Sequence, residues 1–131
     1  MDNNLFIRTG TSIIEISRIK KACRNKRFLS DYFSADEIRE IITHKISPAV
    51  VAENYCVKIA FAKAIGTGMR VVRARDITIL RDRLGSPFII TTGYAKLLEQ
   101  REGFEFHVSV AHCKEYATAS VILNKIRSIG N

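Results

Sequence analysis

An unbroken segment from Pro48 to Ile65, stopped by Gly66, sets the tightest limit on how this chain folds. Proline at its start and glycine just past its end mark one long helix. The stretch "NYCVKIAFAKAIGTG" (residues 54–68) has two apolar faces. Turned through about 100° per residue, Val50, Val57, Phe61 and Ala64 gather on one side. Ile59 lies opposite, with Tyr55, Ala62 and Gly66. Lys63 stands about 40° from Ile59, and Lys58 about 100° away on the other side. Two arrangements satisfy the second apolar face. One is burial in the core or at a subunit interface; the other is a cleft bordered by Tyr55 and the two lysines. Gly66, Thr67 and Gly68 do not by themselves make a phosphate loop, because they follow a helix C-terminus, whose dipole repels anions. A phosphate there would be held by Lys58, Lys63 and loop amides.

The flanking sequence alternates between strand and helix signals. "LFIRTGTSIIEI" is rich in β-branched residues and reads as a first strand, with Gly10 a bulge or a close backbone approach. "SRIKKACRNKRFL" follows as a short basic helix, and "SADEIREIITHK" as a helix with the capping-box pair Ser34 and Glu37. Beyond Gly66, "MRVVRARDITILRD" and "SPFIITT" read as strands joined by a turn at "RLGSP". "GYAKLLEQREG" is a helix closed by Gly103. "FEFHVSVAH" sets Phe104, Phe106, Val108 and Val110 on one face, and a turn at "CKE" leads to its hairpin partner "YATASVIL". Hairpins mixed with helices, without regular βαβ alternation, predict a single α+β domain over residues 1–131.

Composition narrows the function classes. With 47% hydrophobic and 26% charged residues the chain is expected to be globular, and no apolar run approaches the ~18 residues that span a bilayer. The N-terminus lacks the pattern of a secretory signal. Cys23, Cys56 and Cys113 are odd in number and lack metal-ligand spacing, which predicts reduced thiols in the cytoplasm. The formal charge of +8 calls for an acidic partner or a solvated basic face. Six of the ten residues in "RIKKACRNKR" are basic: Arg18, Lys20, Lys21, Arg24, Lys26 and Arg27. No Trp is present, and no aromatic residue interleaves these charges, so nucleic acid is the weaker expectation.

Six segments taken in order resemble bacterial holo-acyl-carrier-protein synthase: "GTSIIEISRI", "RFLSDYFSADEI", "VKIAFAKAIGTG", "RDITI", "GSP" and "HVSVAHCKEYATASVI". The resemblance runs over about residues 5 to 123. It implies the 4′-phosphopantetheinyl transferase fold, an antiparallel sheet packed against helices, assembled as a homotrimer with active sites between adjacent subunits. It implies transfer of 4′-phosphopantetheine from coenzyme A to a serine of acyl carrier protein, with Mg²⁺. The basic helix, with Arg18, Lys21 and Arg24, would then dock the acidic carrier protein. Lys58, Lys63, Gly66, Thr67, Gly68, Ser109 and His112 would contact the coenzyme, and Lys63 and His112 would be the residues nearest the chemistry.

The chain departs from the family pattern where metal is bound. The Asp of the family's Gly-Thr-Asp-Ile motif is Ser12 here, and the Glu that follows the helix Lys is Ile59. An Arg usual four residues before that Lys is Asn54, the Lys of Gly-Lys-Pro is Ser86, and one Ser of the late Ser-x-Ser-His segment is Ala111. Mg²⁺ takes hard oxygen ligands, so Ser12 and Ile59 are not expected to bind it. Glu15, three residues along the strand from Ser12, should face the other side. Three functions remain open: a homologue impaired in transfer that still binds carrier protein or coenzyme A, an active transferase with a rearranged metal site, and a basic scaffold or nucleic-acid-binding protein reusing the fold.

Overall fold

The computed structural model describes residues 6–125. Strand β1 (Ile7–Glu15) runs directly into helix α1 (Ile16–Ala22), followed by α2 (Lys26–Tyr32), α3 (Ala35–Thr43) and the long α4 (Pro48–Ile65). Two 3-10 turns, Gly68–Arg70 and Ala74–Asp76, lead to the hairpin of β2 (Ile77–Arg81) and β3 (Pro87–Thr91). Helix α5 (Gly93–Glu102) then precedes a second hairpin, β4 (Phe104–His112) and β5 (Tyr116–Lys125). Strand β5 lies between β1 and β4 in an antiparallel sheet, and β2 and β3 form a separate ladder.

Helix α4 is the axis of the molecule. Pro48 opens it, the Ser47 hydroxyl accepts from the Val50 amide, and Gly66 closes it at φ 93°. It packs along β1 and β5, and its residues Val57, Phe61 and Ala64 are fully buried. Phe61 meets Phe106 at a centroid distance of 4.6 Å. The second apolar face is also covered. Tyr55 sits among Phe28 and Tyr32 of α2, and Ala62 is 1% exposed. Gly10 resolves as a close approach and not a bulge. The β1–β5 register is continuous from Ile7–Asn124 to Glu15–Tyr116, and a Cβ at Gly10 would overlap the Ala60 carbonyl oxygen.

Two local expectations are corrected. The basic segment forms two short helices, because Asn25 breaks the first and caps α2 by accepting from the Arg27 amide, 2.8 Å away. The stretch "MRVVRAR" forms 3-10 turns, and the strand begins only at Ile77. Val72 and Ala74 are buried there without strand pairing, so their apolar side chains anchor a loop against the core. The capping box of Ser34 and Glu37, the α5 stop at Gly103 and the Phe104–Val110 alternation all take the expected form.

Candidate active site

Helix α4 carries two groups of polar side chains, at opposite ends. At its C-terminal end Lys63 is exposed and its ammonium donates to the Thr11 carbonyl oxygen of β1, 3.0 Å away. Ser12 follows on the same strand, half-buried, with its hydroxyl against the Cys56 thiol. Burial pushes that thiol above its ordinary value, and the Ser12 contact opposes the shift. Arg8 comes close to Gly66, so β1 brings Arg8, Thr11 and Ser12 to the side of Lys63 and the Gly66–Gly68 turn. Gly68 is also left-handed, at φ 64°, with open space where a side chain would be.

Lys58 lies inside the molecule. Its side chain is fully buried, 2.7 Å from Glu37 Oε1 and 3.0 Å from the Ala74 carbonyl, and it also donates to the Ile77 carbonyl. Glu37 in turn accepts from the amides of Ser34 and Ile79. Burial pulls the Lys58 ammonium below its ordinary value, while the Glu37 carboxylate works against that shift. With three acceptors taken, Lys58 ties α3, α4 and the start of β2 together and presents no free donor to a ligand. The long lysine stem carries its charge across the helix flank into the neighbouring turn, a reach that a helical wheel does not capture.

The N-terminal half of α4 holds the second group. Glu53, only 4% exposed, accepts from His112 Nδ1 at 2.7 Å and from the Arg81 guanidinium at 3.2 Å. The same Arg81 nitrogen lies 2.6 Å from Asn54 Oδ1. His112 keeps 44% of its side chain exposed. Ser109 is exposed and sits three residues before it on β4, so the two side chains leave opposite faces of the sheet. Between Asn54 and Lys63 the helix rises about 13 Å, so Lys63 and His112 do not meet within one chain.

Glu53, Arg81 and Glu37, which hold these two polar clusters together, do not stand out in the family motifs. Only Glu37 carried a signal, as the third residue of the capping box. Glu53 lies 59 residues from His112 in sequence and 28 from Arg81, with no local pattern joining them.

The donor set does not fit Mg²⁺. Ser12 offers a neutral hydroxyl beside a thiol, Ile59 offers hydrocarbon, and a magnesium ion prefers carboxylate and water oxygens. Among the described residues no group of three His, Cys, Asp or Glu side chains converges as a metal cradle. Glu15 does not fill the gap: it opposes Tyr116 at the end of β1, on the face away from α4.

On α1 and the turn after it, Arg18, Lys21 and Arg24 are all exposed, and among the described residues they form no ion pair. Arg18 and Lys21 are three apart and share one flank, while Ile19 pins the helix to the core. The arrangement is an exposed cationic ridge. No helix among the described residues is long and apolar enough to cross a membrane.

Comparison with known proteins places this architecture. The family model for the 4′-phosphopantetheinyl transferase superfamily matches residues 8–121. A holo-[acyl-carrier-protein] synthase of Clostridium beijerinckii is 40% identical, over 93% of this chain and 100% of that protein. One from Clostridium perfringens is 39% identical, over 91% of this chain and 94% of its own length. The solved holo-(acyl-carrier-protein) synthase of Bacillus anthracis, in complex with CoA (3′,5′-ADP), superposes with a TM-score of 0.76. It is 28% identical, over 93% of this chain and 99% of that one. With its central buried helix, crossing strand and terminal hairpin, the chain belongs to the holo-acyl-carrier-protein synthase family of the 4′-phosphopantetheinyl transferase superfamily.

Proposed function

We propose that this chain is a holo-acyl-carrier-protein synthase homologue impaired in magnesium-dependent transfer of 4′-phosphopantetheine from coenzyme A. It keeps the surfaces that bind an acidic carrier protein and a coenzyme-A-like ligand. The observation that carries this reading is the pair Ser12 and Ile59, which leaves the β1–α4 contact without a carboxylate. Stabilising charge on a breaking phosphate–oxygen bond is the main task in such a transfer. Losing that stabilisation costs several kcal/mol, and each ~1.4 kcal/mol is tenfold in rate.

Carrier-protein binding is supported by the exposed ridge of Arg18, Lys21 and Arg24 and by the +8 charge of the chain. Binding of the coenzyme is supported by Lys63 and the Gly66–Gly68 turn, and by relatives whose solved structures hold CoA. The separation of Lys63 from His112 within one chain agrees with sites completed between adjacent subunits of a homotrimer. Free thiols at Cys23, Cys56 and Cys113 agree with a reducing cytoplasm.

Incubation of the protein with coenzyme A, apo carrier protein and Mg²⁺ or Mn²⁺ tests the reading by the mass of the carrier. The expected result is no pantetheine addition, or addition slowed by orders of magnitude, with carrier-protein binding retained. Turnover at the rate of an ordinary family member, measured in parallel, would show a working rearranged site instead. Stronger binding to DNA than to carrier protein at matched salt would favour a basic scaffold.

A further inference from the structure

Arg81 and His112 converge on a single carboxylate, that of Glu53, which α4 carries from the opposite side. Two cationic or donor groups brought to one point from β2 and β4 are what an anion site requires. Here the anion is already part of the chain. Glu53 Oε1 takes the Arg81 guanidinium and Oε2 takes His112 Nδ1, so both carboxylate oxygens are engaged and the carboxylate lies beneath the surface.

Two further observations show that the cluster has donors and space to spare. Arg81 Nε is buried and has no hydrogen-bond partner, the one buried side-chain nitrogen or oxygen among the described residues in that state. A cavity of about 270 Å³ opens on the Arg81 side of the cluster, lined by Asn54, Arg81, Val50, Ile79 and Phe88 and not by Glu53 or His112. Glu40 also lines it and is paired with His44 at 2.7 Å. The volume is ample for a phosphate group, so size does not exclude an anion. Charge does, because a phosphate oxygen approaching the open Nε of Arg81 meets the field of the Glu53 carboxylate already paired with the same guanidinium.

Resting on the reading given under Proposed function, we propose that Glu53 is a built-in anion that occupies the Arg81–His112 donor pair and bars a phosphate group from it. Glu53 is then a specificity-determining residue. A phosphorylated ligand must find its cations at the Lys63 end of α4, and the end near His112 accepts only an uncharged part of that ligand. The bland alternative is that Arg81 and His112 are there solely to satisfy a structural carboxylate. It predicts that neutralising Glu53 leaves nothing able to hold an anion.

The two are separated by titrating the full chain with inorganic phosphate, and with 3′,5′-ADP, while following the His112 imidazole by NMR. Chloride keeps ionic strength fixed. In the wild-type chain the His112 signals are expected to show no saturable response. In Glu53→Gln they shift saturably, with an affinity for phosphate at least about tenfold above wild type. Adding Arg81→Gln to that variant abolishes the gain. A saturable wild-type response equal to that of the variant overturns the proposal, as does a folded Glu53→Gln chain that gains nothing. If Glu53→Gln does not fold in chloride, phosphate at matched ionic strength should restore its fold by replacing the lost anion, and failure to do so overturns the proposal. No coenzyme A, carrier protein or divalent cation enters this titration, so its outcome and that of the carrier mass assay stand apart.

Discussion

Lys58 and Glu37 are 0% and 2% exposed, with their charges 2.7 Å apart, and removal of either leaves the other stranded in the interior. The pair is worth little as an ion pair compared with a well-packed apolar substitute, but breaking it on one side is costly. Lys58→Met is therefore expected to lower unfolding free energy by about 3–5 kcal/mol. Denaturant titration should show a lower midpoint at unchanged slope. A loss below about 1 kcal/mol, the range of a surface pair, would mean that Glu37 is satisfied by its backbone donors alone. Lys58 also shows where sequence is blind. The matched lysine of the family motif is visible at position 58, and so is the missing carboxylate at Ile59. Whether Lys58 points to a ligand or to Glu37 depends on where Ala74, Ile77 and Glu37 come to rest, and those are fixed by tertiary packing.

Among the elements, those with strong local signals were legible. Ser34 and Glu37 sit at capping-box spacing, Pro48 and Gly66 bracket α4, and Phe104 to Val110 alternate as a strand with one buried face does. The failures came where local propensity and tertiary burial disagree. "MRVVRAR" is β-branched enough for a strand, yet no neighbouring strand pairs with it, and burial of Val72 and Ala74 holds it as turns. The contact between β1 and α4 gives a test at this scale. Gly10→Ala would drive a methyl group into the Ala60 backbone, so strand and helix must separate, at a cost of about 3 kcal/mol or more. Gly68→Ala meets no neighbour and is strained only by its positive φ, which costs roughly 1–2 kcal/mol. Unfolding midpoints of the two variants should differ in that order. Equal losses would show that β1 can slide away from α4, and that the glycine serves the strand rather than the crossing.

For the whole molecule, the sheet of β1, β5 and β4 is covered by α4 on one side only. Its outer face carries Ile13 at 64%, Ile122 at 44% and Tyr116 at 43% exposure. Small side chains lie between them in the rows Thr11–Ser120–Ser109 and Ile13–Thr118–Ala111. A face of this kind is suited to meeting equivalent faces of other copies, and the proposed homotrimer would cover it. Ile13→Glu sets a charge at that face without touching the α4 side of the sheet. It is expected to reduce the sedimenting mass from three chains to one while the far-UV spectrum is unchanged. Salt supplies an independent sign. Each chain carries a formal +8, so assembly brings like charges together and added salt should strengthen it by screening. Docking of an acidic carrier protein on Arg18, Lys21 and Arg24 joins opposite charges, and the same salt should weaken it. Sedimentation and carrier-protein binding measured over one salt series should therefore move in opposite directions. If both weaken together, the copies are held by the charged ridge and not by the sheet, and the apolar face needs a different partner.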